Sequence, residues 1–516
     1  MHFLSRPFPP LVLFVSGVLL LSSPAVAQQP ASIPAPFYND PLSELQADIP
    51  KLMQQADVPG LSIVIIQDGK PFRVYNFGLK NAETKQPVTD DTIFEAASLS
   101  KPVFAYAVLK LVDQGKLGLD VPLTTYLPKP YIEDRGSGSA LANPEMMDDR
   151  LAKITARIVL SHRTGFRNWR GDGNPLSIYF TPGERFSYSG EGFVYLQTVV
   201  EHITGKPLND VMNELVFTPL GMTSSSYAWR SDFDARTAYG HDADGNTTKL
   251  RKDDHANAAA SLNTTTHDYA LFVSAVLNGT GLKPATLHEL QTPQIAVDPE
   301  CTNCTDRAPK ELSKNLFWGL GWGIERPERN GATENNTSET LWHWGDNGAF
   351  KCFVVANPRK KSGMVLFTNS ENGLAIAPAI VRDAIGRDHL AFTWVKYDSY
   401  NSDSFRFAKI THEKGADAAI QQFDAALKNA SISESSINSL GYRLLSQKRN
   451  TDAIRIFQLN TDLHPQSANT YDSLAEAYMN SGNNPLAIQF YEKSLALDSD
   501  NSNATSQLKK LKSSSQ

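Results

Sequence analysis

The sequence predicts an α+β protein in which a mainly antiparallel sheet is flanked by helices, with a separate all-helical lobe and a small helical domain at the end. Three observations predict this class: an alternating hairpin near the start, alternating apolar segments that return from Trp318 onwards, and a 34-residue spacing of apolar residues in the last hundred residues. With 516 residues, the chain is long enough to bury more than one core.

The first elements follow from apolar periodicity. Pro41 to Gln55 has the pattern of a helix, and Leu61–Gln67 and Phe72–Leu79 alternate on either side of an Asp68-Gly69 turn. A helical middle follows, with loops rich in Gly, Pro, Asn and Asp between about Tyr131 and Lys252. These features predict a β-hairpin that leads into the helical lobe.

Strand signals return in the second half of the chain. Alternating or continuous apolar runs predict strands around Trp318–Glu325, Trp342, Lys351–Ala356 and Gly363–Thr368, and Leu374 to Ile385 has the period of a helix. We expect this helix to pack against the sheet that these strands form with the hairpin.

The last hundred residues show an internal repeat. The period and the pattern of small and large residues resemble tetratricopeptide repeats, with about two and a half repeats and a polar Ser506–Ser513 end that would cap the stack. Two interpretations stay open, namely docking of a protein partner and stabilisation of the preceding domain. At the 34-residue spacing, Ala419, Phe423 and Ala426 align with Ala453, Phe457 and Asn460, and then with Ala487, Tyr491 and Ser494.

The most informative motif is Ser98-Leu99-Ser100-Lys101, at the predicted start of a helix. Residues three apart lie on one helix face, so the Lys101 amine can reach the Ser98 hydroxyl. A serine hydroxyl needs an adjacent base to become a nucleophile, and a lysine kept neutral by desolvation or by a second cation can serve. The motif therefore predicts a serine nucleophile.

Two later segments complete a family pattern. Tyr188-Ser189-Gly190 stands in a polar turn before a helix, and His343-Trp344-Gly345 stands in a predicted strand. The three motifs in this order resemble the serine β-lactamase and penicillin-binding superfamily, in its branch of class C β-lactamases, D-alanyl-D-alanine carboxypeptidases and family VIII esterases. The likeness runs from about Pro41 to about Ala391 and implies a β-lactamase-like sheet-and-helix sandwich.

The resemblance implies a role for each motif. Ser98 matches the acylated serine, Lys101 the residue that takes or orients its proton, and Tyr188 a proton relay whose pKa a nearby lysine ammonium would lower. The backbone N–H groups of Ser98 and Asp346 would form the oxyanion hole, and Gly345 would allow substrate and strand to approach closely.

Departures from the family pattern bear on the substrate. Gly190 replaces the usual asparagine that holds an acylamino side chain, and His343 replaces lysine and would be a weaker, pH-dependent cation for a substrate carboxylate. Trp344 replaces a small residue and would crowd or stack against the acyl pocket. We therefore rank hydrolysis of an ester or amide first. The alternatives are a β-lactamase or D-alanyl-D-alanine peptidase, and a catalytically idle binding or sensor protein that uses the repeats.

The first residues have the pattern of an export signal. A short basic start precedes an apolar run from Leu11 to Leu21, and Ala25-Val26-Ala27 fits a cleavage site before Gln28. We expect a periplasmic or secreted protein, with an uncleaved N-terminal anchor as the alternative, and no later membrane span. The expected divisions are a signal peptide at 1–27, a linker at 28–40, the hydrolase domain at 41–391, a linker at 392–412 and the repeat domain at 413–516.

Composition sets further bounds on partners and cofactors. A net charge of −6 argues against binding of nucleic acid or anionic membrane through bulk charge. The family resemblance implies a small-molecule or peptide acyl substrate. Cys301 and Cys304 are close enough to form a local disulfide in an oxidising compartment, which leaves Cys352 as a lone thiol in a predicted strand. No histidine spacing predicts a metal site, and no cofactor is expected.

Overall fold

A computed structural model describes residues 41–128, 148–170, 176–297, 314–326 and 338–514. The predicted signal peptide and the Cys301–Cys304 pair lie outside these ranges. The strands are β1 (Gly60–Gln67), β2 (Lys70–Asn81), β3 (Gln86–Pro87), β4 (Phe94–Glu95), β5 (Asn263–Thr264), β6 (Ile295–Ala296), β7 (Leu316–Trp318), β8 (Gly323–Glu325), β9 (Thr340–Asp346), β10 (Lys351–Asn357) and β11 (Ser362–Thr368).

Along the sequence, one group of α-helices precedes strands β6–β11 and a second group follows them. The first group is α1 (Pro41–Ala56), α2 (Ser100–Asp113), α3 (Ala156–Leu160), α4 (Gly190–Thr204), α5 (Leu208–Met212), α6 (Thr218–Leu220), α7 (Thr266–Asn278) and α8 (Pro284–Gln291). The second group is α9 (Gly373–Ile385), α10 (Leu390–Val395), α11 (Asp403–Lys414), α12 (Ala416–Gln422), α13 (Asp424–Lys428), α14 (Glu434–Ser446), α15 (Asn450–Leu463), α16 (Ala468–Asn480), α17 (Asn484–Leu497) and α18 (Ser502–Ser514).

Nine strands form one antiparallel sheet in the order β3-β2-β1-β11-β10-β9-β8-β7-β6. Strand β1 is a nearly continuous apolar run because helices cover both faces of the sheet. Ile63 and Ile65 pack into the cluster that contains α1 and α9, whereas Val64 and Ile66 pack into the cluster that contains α2, α4 and α7. The predicted α+β class, with a mainly antiparallel sheet and a helical lobe, is confirmed.

Residues with positive φ angles form the turn of the β1–β2 hairpin and divide one predicted strand into two. The β1–β2 hairpin turns at Asp68 and Gly69, which both have positive φ angles (51° and 71°), as an Asp-Gly hairpin turn requires. The predicted strand around Trp318–Glu325 is instead two strands, β7 and β8. Gly321 has a φ of 83°, and a Cβ there would lie 2.4 Å from the Cβ of Ala105 on α2, so the chain turns where it meets the helix.

Helical hairpins follow the sheet. Helix α16 begins 34 residues after α14, and α17 begins 34 residues after α15, which matches the spacing found in the sequence. Gly441 on α14 faces Phe457 on α15, and a Cβ at Gly441 would lie 2.5 Å from the phenyl ring. The small residue is therefore what lets these two helices approach closely.

The predicted linker at 392–412 contains the end of α10 and most of α11. Trp394 and Tyr397 pack into the same core as β9 and β10. Farther along, Lys409 pairs with Asp57, and His412 lies 3.0 Å from Asp244. This segment is therefore in contact with residues of the domain predicted at 41–391.

Within the described ranges, no helix combines the length and hydropathy needed to cross a bilayer.

We expect Gly441→Ala to lower the free energy of unfolding by about 1–2 kcal/mol, because the clash with Phe457 outweighs the gain that alanine gives in a helix. The urea midpoint, followed by circular dichroism, measures this change. Ser439→Ala, at an exposed position of the same helix, is the control and is expected to cause no loss. Stabilisation by Gly441→Ala would contradict the close approach of α14 and α15.

Candidate active site

Ser98 lies on a 3₁₀ turn, Ala97–Leu99, that leads directly into α2. Ala97 has a φ of 49°, in the left-handed region that non-glycine residues rarely adopt. Ser98 is half-buried, whereas Ala97 and Leu99 on either side of it are fully buried. Within this turn, Ser98 is therefore the residue whose side chain remains partly accessible.

Lys101 lies one turn further along the same helix. Its Nζ donates to Ser98 Oγ at 3.0 Å and to the carbonyl oxygen of Ala259 at 2.8 Å. The side chain is completely buried, and this burial lowers the pKa of Lys101 to about 7. A substantial fraction of the amine is therefore neutral near pH 7 and able to accept a proton from the serine.

Hydrogen bonds from distant segments hold the serine turn in place. The Ser100 hydroxyl donates to the Ala97 carbonyl at 2.6 Å and accepts from the Leu262 N–H at 3.0 Å. The hydroxyls of Tyr269 and Tyr227 donate to the carbonyls of Leu99 and Ser100. The backbone around Ser98 is therefore fixed by α7 and by the segments that precede it.

Tyr188 lies beside the lysine, with its ring centroid 4.8 Å from Lys101 Nζ. The next residue, Ser189, donates its N–H to His162 Nδ1 at 3.0 Å, and the His162 ring packs 4.2 Å from the Tyr188 ring. The motif is thus anchored by a buried histidine.

The expectation of a lowered tyrosine pKa is wrong. Burial raises the pKa of Tyr188 well above its usual value, and the neighbouring Ser98 hydroxyl offsets only part of this effect. Lys101 Nζ lies over the ring, 4.8 Å from its centroid, and no hydrogen bond joins it to the phenolic oxygen. Tyr188 is therefore a neutral phenol at working pH, able to donate a hydrogen bond or pass on a proton.

Strand β9 runs past the serine turn. Asn347 donates its N–H to the Phe350 carbonyl at 3.1 Å, so by alternation in an antiparallel pair the N–H of Asp346 points away from β10. On that side β8 pairs with β9 no further than Trp342. The Asp346 N–H is therefore not used in sheet pairing, as an oxyanion donor requires.

Gly345 allows β9 to approach the serine turn. A Cβ there would lie 2.3 Å from Cys352 Sγ and 2.5 Å from the Ala96 carbonyl oxygen. Cys352 is a buried free thiol on β10 that donates to the same carbonyl at 3.1 Å. The close approach is thus between the strand and the turn that carries Ser98.

The side chain of Asp346 fixes the end of β9 from the other face of the sheet. Lys351 Nζ lies 2.5 Å from one carboxylate oxygen, and the Tyr397 hydroxyl donates to the other. Gly348 also donates its N–H to this carboxylate, at 2.8 Å.

His343 is not the predicted pH-dependent cation. The ring is fully buried, and burial together with the nearby Lys101 lowers the pKa of His343 to about 3. Its Nδ1 lies 2.7 Å from the Trp344 carbonyl oxygen, so Nδ1 carries the proton and donates. His343 is therefore a neutral part of the core beside Tyr188, and it offers no charge to a substrate carboxylate.

Trp344 and Gly190 border the same region. Trp344 is half-buried, 4.8 Å from the Tyr188 ring and 5.1 Å from the Trp394 ring. Gly190 opens α4, and the indole of Trp169 lies where its side chain would be.

Several residues of the site were missed by the sequence analysis. The Ala259 carbonyl binds Lys101, Trp169 covers Gly190, and Trp394 and Tyr397 support β9 from beyond the predicted domain. A backbone carbonyl has no sequence signal.

Residues 45–384 match the family described as Beta-lactamase. The chain belongs to this family. Protein flp of Staphylococcus aureus (strain N315) is 22% identical over 342 residues, which are 64% of this chain and 64% of that protein. Esterase EstB of Burkholderia gladioli is 28% identical over 215 residues, 36% of this chain and 51% of the esterase. The chain thus spans less than two thirds of the length of these curated relatives.

Solved structures share the fold. The octameric penicillin-binding protein homologue from Pyrococcus abyssi superposes with a TM-score of 0.54 at 21% identity, over 71% of this chain and 81% of that one. D-alanine carboxypeptidase AmpC from Burkholderia cenocepacia gives 0.52 at 22% identity, over 66% and 98%. The likeness to these two structures shows that the chain shares their fold, in agreement with the family match.

We expect Gly345→Ala to slow labelling of the protein by a serine-directed fluorophosphonate at least about 100-fold, because the new methyl group pushes β9 away from the serine turn. Mass spectrometry measures the labelling, and circular dichroism checks the fold. Gly348→Asn, in the same hairpin but with no atom near the added Cβ, is the control. Normal labelling of Gly345→Ala would show that this contact does not shape the site.

Proposed function

We propose that this protein hydrolyses a carboxylic ester or amide through a covalent acyl-enzyme on Ser98. The observation that carries the proposal is the 3.0 Å hydrogen bond from Lys101 Nζ to Ser98 Oγ, together with a lysine pKa lowered to about 7. A nucleophile and a base in hydrogen-bond contact, with the base kept neutral by burial, are what acyl transfer to serine requires.

In acylation, Ser98 Oγ bonds to the substrate carbonyl carbon while its proton passes to Lys101 Nζ. The carbonyl electrons move onto oxygen, where the N–H groups of Ser98 and Asp346 would stabilise the charge. When the carbonyl re-forms, the bond to the leaving alcohol or amine breaks. The leaving group takes the proton from Lys101, directly or through the Tyr188 hydroxyl.

Deacylation repeats the steps with water. A water molecule attacks the ester carbonyl and gives a proton to Lys101, directly or through the Tyr188 hydroxyl, and the released Ser98 oxygen takes that proton back. Because the pKa of Tyr188 is raised, the phenol acts as a relay and hydrogen-bond donor while Lys101 is the base. All these groups belong to the chain itself, and no cofactor takes part in the proposed steps.

Three features favour an uncharged ester over a β-lactam or a D-alanyl peptide. Gly190 provides no amide for an acylamino group, and His343 provides no charge for a carboxylate. An esterase is among the relatives, Esterase EstB. We therefore rank a small-molecule ester first and a D-alanyl-D-alanine peptidase or β-lactamase second.

We propose the periplasm or the exterior of the cell as the place of action, on the pattern of the first 27 residues.

We expect kcat/KM for p-nitrophenyl acetate to rise with pH to a plateau, with a midpoint near 7, since the neutral fraction of Lys101 increases as pH passes its pKa. At pH 5 the rate would be about 100-fold below the plateau. Lys101→Arg stays charged and should lose several orders of magnitude. Lys116→Arg, at an exposed position beyond the same helix, is the control. A midpoint above 9 in the wild-type protein would contradict the lowered pKa of Lys101.

Ser98→Ala tests the nucleophile itself. We expect ester turnover to fall by several orders of magnitude and the acyl mass added to the intact wild-type protein to disappear. Near wild-type rates in this variant would refute Ser98 as the attacking group. If nitrocefin or a D-alanyl-D-alanine peptide were turned over faster than every ester, the second candidate function would replace the first.

A further inference from the structure

Residues 168–170 are fixed against the tyrosine motif. The Gly190 N–H lies 2.9 Å from Asn168 Oδ1 and 3.1 Å from the Asn168 carbonyl oxygen, and the Glu191 N–H donates to the same carbonyl at 3.1 Å. Arg170 pairs with the buried Glu191 carboxylate at 3.5 Å. Trp169, between Asn168 and Arg170, is thus held on both sides.

The indole of Trp169 fills the volume that the third residue of the tyrosine motif would use. A Cβ on Gly190 would lie 2.6 Å from Cη2 and 2.7 Å from Cζ2 of the indole. Real Cβ atoms do not approach other atoms this closely, so a side chain at position 190 requires the Trp169 indole to move from this position. The missing asparagine has therefore been replaced in space by an aromatic ring from another segment.

Trp169 also borders the reacting groups. Its ring centroid lies 5.9 Å from Lys101 Nζ, and the side chain is 45% exposed. Tyr188 and Phe193 also surround the lysine amine, but both are buried. Among the aromatic rings described around Lys101 Nζ, Trp169 is the one with enough exposed surface to contact a bound molecule.

We infer that Trp169 determines acyl-group specificity: it forms an apolar wall beside Ser98 that binds esters of uncharged acyl groups carrying an aromatic ring, such as phenylacetyl. This inference rests on the proposed ester hydrolysis at Ser98. An aromatic acyl group buries apolar area against the indole and adds ring–ring contact, whereas an acetyl group is too small to gain either. An acylamino group would lose its hydrogen bonds to water there without a partner in return.

The test compares two esters with the same leaving group. We expect the ratio of kcat/KM for p-nitrophenyl phenylacetate to that for p-nitrophenyl acetate to fall at least about tenfold in Trp169→Ala. Trp169→Phe should keep most of the ratio. Because both esters use the same nucleophile and base, the ratio cancels any change in Ser98 or Lys101. Phe72→Ala, an exposed aromatic on β2, is the control and should leave the ratio unchanged.

Gly190→Ala provides the second measurement. It should impair ester hydrolysis in the wild-type background, where the methyl group meets the indole, and have little effect when Trp169 is already alanine. A ratio that stays within twofold in Trp169→Ala, or equal damage from Gly190→Ala in both backgrounds, would overturn the inference.

The specificity role of Trp169 and the proposed ester hydrolysis at Ser98 can be refuted separately. The wild-type protein could hydrolyse both esters, and Ser98→Ala neither, while the ratio of the two kcat/KM values stays the same in Trp169→Ala. In that case only the specificity assignment fails. If Ser98→Ala and the wild-type protein release p-nitrophenol equally slowly, the proposed function fails and the inference fails with it.

Discussion

The site depends on the burial of one amine. An ammonium group in an apolar environment is unfavourable, so the fold that encloses Lys101 also makes it a base near neutral pH. The Ala259 carbonyl and the Ser98 hydroxyl satisfy the hydrogen bonds that the amine keeps, and aromatic rings cover the rest. The neutral state of His343 has the same origin, because it is buried beside the lysine.

The surrounding architecture brings three separate segments to this amine. These segments are the serine turn before α2, the tyrosine turn before α4, and strand β9. Glycines or buried hydrogen bonds allow each segment to lie close to its neighbours. Residues beyond the family match, which ends at residue 384, also take part, since Trp394 packs on Trp344 and Tyr397 holds Asp346. The segment that leads to the C-terminal helices therefore supports the strand of the proposed oxyanion hole.

Local pattern was enough to predict much of this arrangement. Three predicted features depend on residues near one another in sequence and appear in the structure: the hairpin at Asp68-Gly69, the helix that follows the Ser98 turn and carries Lys101, and the 34-residue helical period. The pKa of Tyr188 and the charge of His343 were mispredicted, because burial by distant segments sets both. Trp169 was overlooked because its contact with Gly190 joins residues about twenty positions apart, and no periodic pattern reports such a contact.

The most direct test of the account is the titration of Lys101 itself, followed by NMR of the protein labelled with ¹³C at the lysine ε-carbons. The Lys101 resonance is assigned by its absence in Lys101→Arg. We expect this resonance to shift with a midpoint near pH 7, while the resonances of exposed lysines shift near their usual pKa of about 10.4. A midpoint for Lys101 close to that of the exposed lysines would contradict the claim that burial creates the base.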